Sequence, residues 1–313
     1  MKAIKLLAVA LLAIVSLNAQ EVVKLNVWVD GAKTEFTLSS VDSLTFSTSV
    51  VPDDVLSGAF SISATKQVCF SRGNLQYQAS AKIWRFAENQ YDYIGSDNSN
   101  ISDTYTGWID LFGWSCSTGS AKWGISTSLS KSDYSGDFFV DWGANTIGMD
   151  TPNAWRTLSK DEWYYLFYTR TNAPKLFGLG SVNGVNGIII LPDGWTAPAG
   201  ITFTPSTEKG LVDKEGDSYH DSNFDVNNPH WPDNTYTLSD WQKMEDAGAV
   251  FLPAAGYRYG QNVLSVRVCG FYWSSMMYNN DSAYTLYFTG YSVNPQSSNL
   301  RYYGYSVRLV QDL

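Results

Sequence analysis

Ala283-Tyr284-Thr285-Leu286-Tyr287-Phe288 is the stretch on which the fold turns. Successive side chains of an extended strand leave on opposite faces. Tyr284, Leu286 and Phe288 therefore share one face, expected to be core, and Thr285 and Tyr287 the other, expected to reach solvent. Upstream stands Gly270-Phe271-Tyr272-Trp273-Ser274-Ser275, and the chain closes with Gly304-Tyr305-Ser306-Val307-Arg308-Leu309-Val310. These runs predict strands over Phe271–Ser275, Tyr284–Phe288 and Tyr305–Val310. Further out, short apolar runs rich in β-branched and aromatic residues predict strands at Ala59–Ile62, Gln67–Phe70, Leu75–Gln78, Ile83–Phe86, Ile188–Leu191 and Ala249–Leu252.

Two helices break this pattern. Ser159-Lys160-Asp161-Glu162 is a capping box, serine receiving an early amide while the glutamate reaches back, and Trp163–Tyr168 continues it. Ser239-Asp240-Trp241-Gln242 has the same form and runs to Ala247, where Gly248 is placed to stop the turn. Residues 210–231 are polar and read as loop. Two short helices among many strands predict an α+β domain.

The N-terminal end is organised differently. Lys2 and Lys5, the apolar run Leu6–Leu17 and small Ala19 have the pattern of a secretory signal peptide over residues 1–19. Residues 20–50 follow as a small β unit, with the alternating Val22–Val29, the two-residue hairpin signal Asp30-Gly31, Thr34–Leu38 and a further apolar run Val41–Phe46. Residues 51–57, with Pro52, Asp53 and Asp54, read as a linker, and 58–313 as one large domain. The expected destination is outside the cytoplasm, in the periplasm or on the outer surface, with no membrane span.

Composition narrows the function. The net charge is -9, and an acidic chain lacks the basic surface that displaces counterions from phosphates, so nucleic acid is not the expected partner. Twelve Trp and 20 Tyr give a β-rich domain aromatic surface to spare. Cys69, Cys116 and Cys269 have no metal-ligand spacing, and three cysteines permit at most one disulfide. His220 and His230 are the only histidines, and no nucleophile motif accompanies them. Asp213, Glu215, Asp217, Asp221 and Asp225 match no EF-hand spacing. No cofactor, metal or catalytic residue is expected.

Together with Trp155-Arg156-Thr157-Leu158-Ser159-Lys160-Asp161-Glu162-Trp163, the three C-terminal motifs resemble C-type-lectin-like proteins of Bacteroidetes. That group includes variable proteins of diversity-generating retroelements and a branch similar to formylglycine-generating enzymes. The resemblance covers Gly58 to the end and is strongest after Leu252. It implies a C-type-lectin-like domain that presents an irregular C-terminal surface to a protein or glycan ligand at a cell or phage surface. In the retroelement proteins, copying randomises template adenines, so asparagine codons become mostly Tyr, Ser, Asp, Thr, His or Phe. The span Phe271–Arg308 holds eight of the 20 tyrosines, four asparagines and seven serines, the residue types that paratopes favour. The catalytic cysteine pair and Arg-Gly-Gly-Ser signature of the formylglycine branch have no counterpart here, and Asn294-Pro295-Gln296 lacks the acid of a calcium-dependent sugar site.

The expected division is therefore between scaffold and contact. Trp273, Ala283, Val293, Pro295, Arg301, Gly304 and Val307 read as scaffold. The expected ligand contacts are Phe271, Tyr278, Asn279, Asn280, Asp281, Ser282, Thr285, Tyr287, Tyr291, Ser292, Ser297, Ser298, Asn299, Tyr303 and Tyr305. The expected function is reversible, non-enzymatic recognition. The alternatives are a structural or adhesive surface or pilus subunit and, further off, a formylglycine-type enzyme.

Overall fold

The runs flanking Asp30-Gly31 pair as an antiparallel hairpin, β1 (Lys24–Val29) with β2 (Ala32–Thr37), in register from Lys24↔Thr37 to Val29↔Ala32. Glu35 on β2 takes hydrogen bonds from Lys24 and Lys33, which hold its carboxyl well below the usual range. The computed structural model describes residues 24–29, 32–37, 54–117, 119–136, 138–214, 218–223 and 225–313. The chain forms two compact units, residues 1–51 and 52–313. The expected signal peptide, the Val41–Phe46 strand and the first three residues of the expected linker lie outside the described residues. The linker's end does not. The Leu56 amide donates to Phe70 (2.9 Å), the Arg72 amide donates to Asp54 (2.7 Å), and Leu56 is in the core. The domain thus begins a few residues before Gly58.

The second unit is α+β and mostly β. It opens with β3 (Phe60–Ser61), β4 (Gln67–Phe70) and the hairpin β5 (Leu75–Gln78) with β6 (Ile83–Phe86). A long stretch of turns follows, then β7 (Arg156–Thr157) and α1 (Lys160–Tyr164), whose capping box is complete: the Glu162 amide donates to Ser159 Oγ and the Ser159 amide to Glu162 Oε2. Next come β8 (Phe177–Val182), β9 (Val185–Ile190), β10 (Leu211–Lys214), β11 (Ser218–Asp221) and β12 (Thr235–Tyr236). After α2 (Leu238–Asp246) the chain continues through β13 (Val250–Pro253), β14 (Tyr257–Tyr259), β15 (Asn262–Leu264), β16 (Cys269–Met277), β17 (Ser282–Thr289), β18 (Ser292–Leu300) and β19 (Leu309–Asp312).

Three sheets carry the architecture. One has the order β10-β11-β18-β17-β16, a second β12-β8-β9-β13, and the third, β3-β4-β19-β7, joins the start of the unit to its end. Residues 210–231, expected as loop, supply β10 and β11: a polar hairpin that becomes sheet because Tyr219 and His220 pair with Val293 and Ser292 of β18. Period-two sorting of side chains then builds the cores. On β9, Ile188 and Ile190 join Trp163, Leu179, Tyr272, Leu286 and Phe288 in one cluster, while Ile189, with Leu191 just past the strand, joins Trp241, Met244 and Phe251 in another. A third cluster gathers Trp84, Phe112, Trp114, Trp142, Trp155, Trp273 and Tyr305.

The second helix starts earlier than its sequence suggests. Its cap is Thr237, whose Oγ1 accepts the Asp240 amide at 3.2 Å, and Ser239 sits inside the first turn. Tyr236 fixes this choice, because it is the last residue of β12 and immediately precedes the cap. Gly248, at φ +90°, ends the helix as its position implied. Thr237→Ala is expected to cost about 1 kcal/mol of unfolding free energy and Ser239→Ala a few tenths; urea titration of the two variants measures the difference.

Candidate functional site

The five-stranded sheet places the C-terminal motifs side by side. Phe271 pairs with Tyr287, Tyr272 with Leu286 and Trp273 with Thr285 across β16 and β17. Tyr287 in turn pairs with Asn294 of β18 and Thr285 with Ser297. Tyr272, Leu286 and Phe288 face the cluster under α1, and Tyr284, on the same side, is half-buried beneath the Lys160 ammonium, 4.9 Å from its ring. Phe271, Trp273, Thr285 and Tyr287 face the other way.

That second face is not open along its length, which corrects two expected contacts. Thr285 is fully buried, its hydroxyl donating to the Tyr272 carbonyl at 2.8 Å, and Tyr305 is 2% exposed. Both are covered because the turn-rich stretch between β6 and β7 packs Phe112, Trp114 and Trp142 onto this side of the sheet, with Tyr305 inserted between Trp273 (4.5 Å) and Phe271 (4.4 Å). Trp273, Ala283, Val293, Pro295, Arg301, Gly304 and Val307, expected as scaffold, are all buried.

Beyond this cover the face opens into a continuous aromatic surface. Tyr287 stacks on Phe271 (4.6 Å), and Phe271 meets Tyr257 edge-on (5.7 Å). Tyr257 meets Tyr303 (5.7 Å), Tyr303 stacks on Tyr302 (5.3 Å), and Tyr259 touches both Tyr303 (5.4 Å) and Tyr302 (6.1 Å). All six rings are partly exposed, Tyr259 most openly at 37%. Tyr305 is the floor, nearly parallel to both Phe271 and Tyr303. Offset and edge-to-face arrangements are the favoured geometries of aromatic pairs, so the rings hold one another in shape before anything binds.

Three of these rings, Tyr257, Tyr259 and Tyr302, were not singled out by the sequence. The alternation Tyr257-Arg258-Tyr259 was the available signal. It places both tyrosines on one side of the β14–β15 hairpin and Arg258 on the other, fully buried, donating to the Gly260 carbonyl at 2.9 Å. Backbone bonds between Arg258 and Gly304 (2.9 and 2.8 Å) dock this hairpin beside Tyr303. Only glycine fits at 304, since a Cβ there would stand 2.8–2.9 Å from the Arg258 side chain and the Leu111 carbonyl.

The remaining expected contacts fall elsewhere. Tyr278, Asn279, Asn280, Asp281 and Ser282 form the exposed tip between β16 and β17, where Asp281 pairs with Lys131 (2.6 Å). A cavity of about 280 Å³ lies there between Asn280, Asp281 and the loop of Ser132, Ser135 and Gly136. Asn299 sits opposite Ala283 near the tip, with Ser298 and Ser297 next along β18. Tyr291 and Ser292 are at the opposite turn; the Tyr291 hydroxyl donates to Val226 (2.6 Å) and Ser292 Oγ lies 3.2 Å from Thr289 Oγ1. Six residues of strand separate the Phe271 and Met277 levels, roughly 20 Å. The expected contacts thus form one aromatic face and two outlying polar groups.

The face is neutral. Burial pushes the Tyr287 and Tyr303 hydroxyls up, and Tyr305 well up, so at physiological pH they remain phenols able to donate as well as accept. Cys269, two residues before Phe271 on β16, is a buried free thiol pushed up by desolvation to about 11; Cys69 is a buried free thiol too, and Cys116 is buried. His230, also buried, lies between Asp233 (Nδ1, 2.8 Å) and Asp221 (Nε2, 3.3 Å). Among the described residues no helix is long and apolar enough to cross a membrane.

Residues 224–310 match a family model described as a domain of unknown function, DUF8237. The match takes in every ring of the aromatic face. No curated protein and no solved structure matches the chain.

Proposed function

We propose that this chain is an exported, non-catalytic recognition protein, and that its ligand, a macromolecule on a cell or phage surface, docks on the aromatic face of a C-type-lectin-like domain. One observation carries the reading: six partly exposed rings, in unbroken contact from Tyr287 to Tyr259, rest on a buried aromatic floor. Contiguous exposed aromatic surface marks interaction sites, whereas scattered exposed rings need no explanation. Tyrosine supplies broad amphipathic contact at small entropic cost, and pre-stacked rings reduce that cost further.

The state of the thiols supports binding over chemistry. A nucleophilic cysteine works as thiolate in an accessible, electropositive setting, and Cys269 is buried with its pKa raised. The resemblance to retroelement variable proteins is supported by the tyrosine-rich composition of the face and by the burial of all seven scaffold positions. The floor is separate from the rings above it, so side chains at the surface can change without emptying the core.

Fluorescently labelled chain is to be titrated onto intact bacterial cells and onto an immobilised panel of surface glycans and proteins. Tyr259→Ala/Tyr303→Ala is expected to weaken whatever binding is found by at least about tenfold, or 1.4 kcal/mol, with the melting temperature nearly unchanged. Equal binding by the double variant removes the face from the account. The retroelement part has its own test in the flanking DNA, where a near-copy of codons 271 to 305 is expected to differ only where the copy has adenine. Differences falling on the Trp273 and Gly304 codons would refute it.

A further inference from the structure

A cavity of about 340 Å³ opens beside the β5–β6 hairpin and shares no lining residue with the aromatic face. Its walls combine three chemistries. The rings of Tyr77 and Trp123 line it, tied together through buried Trp84, 4.3 Å from Tyr77 and 6.2 Å from Trp123. Lys82 and Lys122 bring two ammonium groups, and Asp103 and Ser120 bring a carboxylate and a hydroxyl. These last four are exposed. Among the described residues neither lysine has a carboxylate within ion-pair distance, in a chain whose net charge is -9.

The backbone around this cavity is held in a costly shape. Among the described residues, seven non-glycine ones have left-handed backbone, three of them asparagines, which tolerate it; Lys82 (φ 54°) and Trp123 (φ 59°) both line the cavity. Such residues persist only where the surroundings fix them, and they concentrate at ligand sites. Here the Trp123 carbonyl accepts the indole N–H of fully buried Trp142 (3.0 Å), and the next residue, Gly124, is clamped by a 2.9 Å bond from the Gly113 amide. The Lys82 amide donates to Ala79 at 3.2 Å, closing the hairpin turn. The result is a partly exposed indole with the Lys122 ammonium 5.5 Å from its ring.

We propose that this cavity binds an acidic sugar residue, a carboxylated pyranose, with its ring against Trp123 and Tyr77, its carboxylate between Lys82 and Lys122, and its hydroxyls on Asp103 and Ser120. The wall chemistry selects this class. A neutral sugar leaves two ammonium groups unmatched. A bare phosphate or sulfate gives the rings nothing to stack on and meets the Asp103 carboxylate. A carboxylated aromatic leaves Asp103 and Ser120 without hydrogen-bond donors to receive. The volume is in the range of small-molecule sites.

The test is calorimetric titration of the full chain with trigalacturonic acid, using maltotriose as the uncharged comparison. Trigalacturonic acid is expected to bind at low salt and to weaken as salt rises toward about 1 M, where charges more than ~3 Å apart are screened, while maltotriose gives no heat. Lys82→Gln/Lys122→Gln, both exposed positions, is expected to weaken binding at least about tenfold. Lys82→Gly, which relaxes the left-handed turn, should do so without lowering the melting temperature. Tyr259→Ala/Tyr303→Ala should bind the acid as the unaltered chain does, which separates this site from the aromatic face. No binding of trigalacturonic acid, equal binding of maltotriose, or an unaffected double lysine variant would each overturn the proposal.

Discussion

Trp273→Ala is expected to lower the unfolding free energy by about 3–5 kcal/mol, the range for emptying a buried large aromatic site, whereas Tyr303→Ala should change it by about 1 kcal/mol or less. Trp273 is 1% exposed, packs against Tyr305 at 4.5 Å, and sends its indole N–H to the Phe112 carbonyl at 2.7 Å. That carbonyl also accepts the Tyr305 amide at 2.8 Å, so losing the indole does not orphan it. The cost is therefore mainly that of the cavity. It follows that Trp273→Phe, which keeps a ring in the site, should cost only about 1–2 kcal/mol. Truncation also removes support from the Tyr305 floor, so Trp273→Ala should weaken ligand binding as well as stability, while Tyr303→Ala should weaken binding alone. Urea unfolding followed by tryptophan fluorescence, together with cell binding, measures both. If Trp273→Ala and Tyr303→Ala lose stability equally, the separation of floor from surface is refuted.

Much of the fold was legible because its signals are local. The strand bounds Gln67–Phe70, Leu75–Gln78 and Ile83–Phe86 are those read from the runs themselves, and the Ser159–Glu162 cap needs only four consecutive residues. Period two correctly sorted Tyr284, Leu286 and Phe288 from Thr285 and Tyr287. What it could not reveal is that both sides of the sheet are covered. The covering residues Phe112, Trp114 and Trp142 come from a stretch without periodicity, and their position is tertiary information. Thr285 and Tyr305 were misjudged for that reason. β18, Ser292–Leu300, is almost wholly polar and becomes a strand through its pairing with β17. Tyr257 and Tyr259 join the aromatic face only because Arg258 and Gly304 exchange backbone bonds across nearly fifty residues of chain. Thr237 displaced Ser239 as cap because β12 decides where extended chain ends.

Arg301→Ala is expected to match the loss at Trp273, about 3–5 kcal/mol, although the residue stands among partly exposed neighbours. Its guanidinium is buried, 4.5 Å from the centre of the Trp114 ring, and donates to Gly136 (2.8 Å) and Asn279 (2.8 Å). Its own amide donates to Asp281 (3.0 Å), and its carbonyl accepts the Trp114 amide (2.8 Å). One side chain thus fastens the β16–β17 tip to the Ser132–Gly136 loop and both to the core, and so sets the cavity between them. Hydrogen bonds to a charged group contribute about 1.5–3 kcal/mol each, and their loss leaves backbone acceptors without this donor. Arg301→Lys keeps the charge, but a single ammonium lacks the planar fork that reaches two carbonyls on separate segments; it should recover less than half of the loss. Hydrogen exchange gives the local reading. The Asp281 and Ser282 amides, both donating to Asn279 Oδ1 at 2.9 Å, should lose protection in Arg301→Ala beyond what the global destabilisation accounts for. Arg301's grip does not depend on the side chains of Tyr278, Asn280 and Ser282, because it bonds backbone carbonyls at the tip. If Arg301→Lys is as stable as the unaltered chain, or the tip amides stay protected in Arg301→Ala, the tip is held by its own turn and the fork has no part in shaping it.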